Sequence, residues 1–460
     1  MEKRGIPAVV VQRQEFVGAT KNAIAGFGFS PEVAMVIFPV SLFLVGSDLA
    51  PIQQNIDQFI RGLTRWEPAS KEAKNVDPPA IEIRGKNYEE NFANMNRFFL
   101  GKRWGDGLPL LAPTEERVKW VLRGTDLPPD TRIGKILPQG RVATVKTVSV
   151  ALAMAGGRPE YLPVLIAAVE ALINPVLAHQ SWQATSSSVY PAVIVNGPVA
   201  RQIRLNSGFG LLGPDALHPA GGVIGRALRF LLQNVGGAVP GVGTMCQFGG
   251  MRYTNAVFAE DEEGLPPGWE PLSAEYFGIP RDANSLALYT VSSATNITRR
   301  GTGKETPEEE ALGSLYRIAA YMEAPNVNGL IGYDEGAPGI LLLSSITALQ
   351  LANLGWTKEK IKEFLWENSK IPVSKLKRAG MLYYFEDRGI DPQTLPDPWP
   401  ITRKARNLMI IVAGGRHPTQ AYWMQGAQGP KTVSARIQLP ANWEKLLQEA
   451  DTELGPLPAE

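Results

Sequence analysis

EKRGIPAVVVQRQEF, residues 2–16, reads as the end of one helix followed by the start of a strand. Glu2, Lys3 and Arg4 suit the last turn of a helix and Gly5 its C-terminal cap. Ile6-Pro7 then leads into the apolar run Ala8 to Val11, which predicts a buried strand. Glu15 to Gly28 predicts a helix, VAMVIFP (33–39) a second strand over Ala34 to Phe38, and Pro51 to Leu63 a second helix with Asp48 as its cap. The apolar run from Val33 to Gly46 is too short for a membrane span and is broken by Pro39. Strand-helix-strand-helix is the order of a parallel sheet, whose strands are buried on both faces and need neighbours, and two strands alone are marginal in water. Residues 1–65 therefore read as half of an α/β unit of the flavodoxin or Rossmann type. A partner chain, later residues or residues outside this sequence would complete it.

Composition narrows the classes. The chain has 460 residues, 44% hydrophobic, enough for a large core. Lys plus Arg number 46 against 45 Asp plus Glu, so the basic stripe of a nucleic-acid binder is missing. The single cysteine, Cys246, excludes an intrachain disulfide and fits a reducing cytoplasm. Three histidines without metal-ligand spacing give no support to a metal site, and the sequence leaves any cofactor unknown.

Residues 66–97, polar and proline-containing, read as a linker or extended arm. Residues 98–460 read as a large mixed α/β domain. Its strands are expected over Ala192 to Val195, Thr254 to Ala259, Leu286 to Val291 and Leu408 to Val412, and helices Thr357 to Trp366 and Val373 to Ala379 are expected to cover one sheet face.

Several stretches can carry chemistry. In AGGRPEYLP (155–163) a Gly156-Gly157 break precedes a helix start, where Arg158 and Tyr161 can hold a carboxylate or phosphate. The alternative is that Arg158 and Glu160 cap and pair within a helix hairpin. Gly221, Gly222 and Gly225 open an apolar helix with Arg226 and Arg229 about a turn apart, a second candidate anion site, although the fingerprint of a nucleotide loop is missing. Glycines there also serve close packing. SWQATSSSVYP (181–191) gathers Gln183, Thr185, Ser186, Ser187 and Ser188 before a strand, but a serine nucleophile needs a base. His417 follows a predicted strand and two glycines, the position where parallel-sheet sites form. Cys246 lies near Arg252, whose charge can activate a thiol, while a lone cysteine is more often a small buried hydrophobe.

The opening segment resembles the C-terminal half of the small α/β domain of the UGSC-motif (seleno)protein family. Seven later blocks resemble, in order, the large domain that accompanies it: RWGDGLPLLAPT, AGGRPEYLPVLIAAVEAL, QATSSSVYPAVIVNGPVA, IGRALRFLLQNVGG, WEPL, GWTKEKIKEFLWENSKIPVSKL and IIVAGGRHPT. The resemblance implies a selenocysteine- or cysteine-Gly-Ser-Cys motif upstream of residue 2, which this sequence does not contain. A selenocysteine codon read as a stop, a split gene whose partner subunit carries the motif, or a degenerate fragment would each account for that. The chain also departs from the family pattern. Gly157 replaces a cysteine, Lys146 a glutamate, Ser186 to Ser188 a Thr-His-Pro, and Thr347 a histidine.

Three functions follow as expectations. First stands a thiol- or selenol-linked redox enzyme acting on a small anionic substrate. A lyase or hydrolase would use His417, Glu160 and the Ser186-Ser187 loop instead, and a non-catalytic binding or scaffold subunit would need none of them. Bare apolar side chains on a half-domain predict an oligomer or a partner subunit, and neither nucleic acid nor membrane is expected as a partner.

Overall fold

The computed structural model describes residues 6–26, 30–44, 46–65, 80–213, 215–298, 301, 303–323, 338–427 and 432–455. The helix end and cap read at Glu2 to Gly5 and most of the arm's first half lie outside them. The fold is mixed α/β, as expected.

In the N-terminal unit β1 (Val10–Arg13) pairs in parallel with β2 (Met35–Phe38), with Val10 opposite Met35. Pairing starts two residues later than the apolar run. Between them α1 (Val17–Gly26) makes the crossover, and α2 (Ala50–Gln54) and α3 (Ile56–Thr64) follow, split at Asn55 where one helix was expected. The N-cap is Leu49 rather than Asp48, which stands one residue earlier with its Oδ1 accepting from Ala50 N at 2.9 Å. Val36, Phe38 and Leu42 form a small core with Val9, Ile52 and Phe59. Val11, Ile37, Phe43, Leu44, Ile56 and Ile60 remain exposed. Two strands cannot cover this much apolar surface.

Part of the expected arm is helical. α4 (Tyr88–Lys102) runs across the boundary drawn at residue 98, capped by Asn87, whose side chain accepts from Glu90 N. Its polar composition hides a helix held by Met95 and Phe99, one turn apart and both buried. A hairpin of β3 (Arg132–Ile136) and β4 (Arg141–Thr144) comes next.

The main sheet has seven strands: β5 (Tyr190–Asn196), β6 (Ala256–Ala259), β7 (Ser285–Thr298), β8 (Gly339–Leu343), β9 (Met409–Val412), β10 (Gln420–Gly426) and β11 (Val433–Arg436). The order is β6-β5-β7-β10-β8-β9, with β11 on β7. The β5/β6 and β8/β9 pairs are parallel and the rest antiparallel. The sheet curls until its two edges touch, Asp261 N donating to Val412 O at 2.8 Å. Strand alternation then sorts the core. Ala192, Ile194, Phe258, Leu342 and Ile411 fill the concave side. Val193 and Val195 pack outward against helices Val145–Met154, Leu162–Leu172 and Ala220–Phe230. Leu341 and Leu343 pack outward against helices Pro307–Met322 and Lys358–Asn368. β8 and β10, absent from the sequence reading, occupy the middle of one half of the sheet. Among the described residues no helix is long and apolar enough to cross a membrane.

Glycines at the start of helix Ala220–Phe230 serve contact with backbone. A Cβ on Gly225 would lie 1.7 Å from Thr254 O, and one on Gly221 2.5 Å from Val257 O. Alanine is the better helix former by about 1 kcal/mol. Gly225→Ala is nevertheless expected to lower stability by about 2 kcal/mol, because the Thr254 carbonyl, in the turn that leads into β6, would have to move with the backbone. Urea unfolding of the variant checks this, and an unchanged midpoint would refute the packing role.

Candidate functional site

The fold distributes the residues singled out above over four places. Glu160 and Tyr161 are buried in the short turn Pro159–Tyr161, just before helix Leu162–Leu172. Arg158, whose guanidinium also stacks 5.6 Å from the Trp120 ring, pairs with Glu160 and, through Nη1 at 2.6 Å, with Glu453 of the C-terminal helix Trp443–Leu454. Arg123–Glu449 and Arg204–Asp451 clamp the same helix. Burial raises the Glu160 carboxyl despite Arg158 beside it. The expected anchor for a substrate anion is thus taken by the chain's own carboxylates, which is the hairpin-pairing alternative.

Arg226 has a similar fate. It grips Asp106 of the GDGLP loop with two bonds, Nε to Oδ2 at 2.6 Å and Nη2 to Oδ1 at 2.8 Å, and also donates to Pro109 O. With Gly221 packed on Val257 O and Gly222 in the same first turn, this helix start is a structural joint. His417 stands exposed beyond β9, its Nδ1 2.9 Å from Thr419 Oγ1. Thr347, where the resemblance places a histidine, reaches Pro418 O beside it. No hydrogen bond joins Ser186 or Ser187 to a histidine among the described residues, so the serine-base pairing is not assembled.

The fourth place brings expected residues together. Helix His179–Ala184 ends at Thr185, whose Oγ1 accepts from Ser187 N at 3.2 Å. The chain then runs beside the Cys246 loop. Met245 N donates to Ala184 O, Gln247 N donates to Ser186 O, and the Cys246 thiol donates to Ser188 Oγ at 3.7 Å. Gln183 is buried with its Oε1 unpartnered. Ser186 and Ser187 face solvent.

Two arginines underlie this loop. Arg252, 6% exposed, donates Nε to Val189 O at 2.5 Å, Nη1 to Thr244 Oγ1 at 2.7 Å and Nη2 to Trp182 O at 2.8 Å. Thr244 Oγ1 also accepts from Cys246 N. Arg229, 7% exposed, donates Nη2 to Gln233 Oε1 and to Ala238 O. Neither forms an ion pair among the described residues. Burial and then the like charge of Arg252 push Arg229 down to about 10, and burial lowers Arg252. A negative charge on Cys246 would favour both. Asp106, whose field also reaches Arg229, is committed to Arg226. Arg252 was legible as a neighbour of Cys246, whereas the convergence of Arg229 on the same spot was not.

A cleft of about 950 Å³ opens beside the loop, between α1 and helix His179–Ala184. Ala184 and Thr185 belong to its wall, so Cys246 stands one hydrogen-bonded segment behind it. α1 rests on the turn leading to Cys246, since a Cβ on Gly18 would lie 3.0 Å from Val242 O. The N-terminal unit thereby forms one side of the cleft. Comparison with protein-family models, with curated proteins and with solved structures gives no match.

Proposed function

We propose that this chain is a thiol-linked oxidoreductase acting on a small anionic substrate, with Cys246 as the reacting group and Arg229 and Arg252 as the charges that receive the anion. One observation carries the reading: two guanidinium groups, both more than nine-tenths buried and without carboxylate ion-pair partners among the described residues, lie within electrostatic reach of the chain's single thiol. Buried charge is costly unless compensated. An oxyanion bound beside the thiol supplies that compensation here. In the step envisaged, the Cys246 sulfur bonds to an oxidised atom of the substrate while the leaving group departs with the electron pair. An external thiol then attacks the Cys246 sulfur, so that the substrate atom leaves with the bonding pair as the reduced, protonated product, and a second external thiol displaces the Cys246 thiolate, two thiols being oxidised to one disulfide as the substrate atom gains two electrons. The likeness to the UGSC family belongs to the same proposal, because a thiol or selenol on a partner subunit would serve as that second group.

Alkylation tests the reading directly. The rate ratio of anionic iodoacetate to neutral iodoacetamide at Cys246 is expected to exceed that of N-acetylcysteine by at least about tenfold, or ~1.4 kcal/mol. Unit charges close together at an effective dielectric of ~20 interact by a few kcal/mol, so tenfold is a modest demand. Mass spectrometry gives both rates. A ratio equal to that of the free thiol would sink the anion site.

A further inference from the structure

We infer that the cleft between α1 and helix His179–Ala184 binds an amphipathic carboxylate, an apolar body with a single anionic head, and that the head is received by His179 Nδ1–H and Lys135. The inference goes beyond the reading above and does not depend on it: this head is held on the cleft side of the Ala184-Thr185 wall, not by Arg229 and Arg252 behind it.

The lining sets the chemistry. One stripe of α1, Ala19, Thr20 and Ala23, together with Phe16 just before it, presents small or apolar side chains at helical spacing. Leu137 and Ile173 are among the apolar side chains on the opposite wall. Among the described residues no aspartate or glutamate lines the cleft, whereas Lys135 does, and Lys135 has no ion-pair partner among them. The lining therefore selects against a cation. An apolar cleft with a few convergent polar groups is the usual form of a small-molecule site.

His179 is the second, independent observation. It is 4% exposed, and its Nε2 accepts from Leu137 N at 2.8 Å. That bond fixes the proton of the neutral ring on Nδ1. Burial pushes the imidazole down to about 4, so it is neutral at physiological pH. Nδ1–H has no partner within the described protein, and the ring borders the cleft. The nitrogen opens to the cleft rather than being sealed in the core, so a donor already fixed in one tautomer stands where an acceptor on a ligand can reach it.

Calorimetric titration of the full chain with octanoate, and separately with octylammonium, tests this. Octanoate is expected to bind one to one, at least tenfold more tightly than octylammonium. Ala23→Trp, which fills the cleft from α1, should abolish binding. His179→Phe should weaken it at least tenfold. Should that variant fail to fold for want of the Leu137 bond, Lys135→Glu on the exposed strand is expected to reverse the preference between the two probes. Equal affinities, no octanoate binding at millimolar concentration, or an Ala23→Trp protein that binds as before would each overturn the inference. No thiol reagent is present in these titrations, so their failure is separate from a failed iodoacetate ratio, which judges Cys246 alone.

Discussion

Lys358→Met is expected to cost about 3–5 kcal/mol of folding stability, the range for removing one partner of a buried ion pair. Glu260 follows β6 with its side chain wholly buried. Its Oε2 accepts from Asn196 Nδ2 at 2.8 Å and from Leu272 N at 2.7 Å, while Oε1 has no hydrogen bond. Lys358 Nζ stands 3.8 Å from Oε1 and donates to Glu270 O at 2.6 Å and Glu275 Oε2 at 3.0 Å, and Lys362 also pairs with Glu275. Two carboxylates and two ammonium groups thus balance. Together they tie helices Leu272–Phe277 and Lys358–Asn368 to the end of the sheet. Removing Lys358 leaves Glu260 a buried charge with two neutral donors. Lys358→Met combined with Glu260→Gln should recover most of the loss, which a purely steric defect would not.

The pH dependence has a definite sign. Burial already raises the Glu260 carboxyl, against the opposing pull of Lys358. Without Lys358 the folded-state value rises further above that of the unfolded chain, about 4.3. Between those two values the folded state binds the extra proton, so stability falls as pH rises. The deficit of Lys358→Met should therefore be small near pH 4 and full near pH 8 in urea unfolding. A deficit that does not vary with pH would show that Glu260 is not the group left exposed to the loss.

Local signals were readable where sequence and contact coincide. Apolar runs bounded by caps gave β1, β2, β5 and β9. The polar face of α4 concealed it, because only Met95 and Phe99 report its burial. Arginine roles were illegible for another reason. Glu453 lies 295 residues from Arg158 and Asp106 lies 120 from Arg226, so only the fold reveals that both guanidinium groups are already matched. Cys246 and the serine loop, 58 residues apart at Ser188, were each noticed, but nothing in their spacing joins them. His417, placed after a strand and two glycines, contacts Thr419 and not that loop. His179, an inconspicuous ring at a helix start, lines the cleft beside it.

Arg252→Met is expected to lower stability by about 3 kcal/mol and to bring the iodoacetate preference of Cys246 down by at least about fivefold. The stability figure follows from three lost hydrogen bonds to a charged donor, each worth roughly 1.5–3 kcal/mol, offset by relief of the repulsion between Arg252 and Arg229. The remaining Arg229 keeps part of the preference. Arg252→Lys separates charge from geometry, because a single ammonium cannot span Val189 O, Thr244 Oγ1 and Trp182 O as the planar fork does. That variant should retain more of the iodoacetate preference than the methionine variant while losing comparable stability. If both variants alkylated with the wild-type ratio, Arg252 would be a brace for the loop alone. If lysine restored stability but not the ratio, the anion would be recognised by the shape of the guanidinium rather than by its charge.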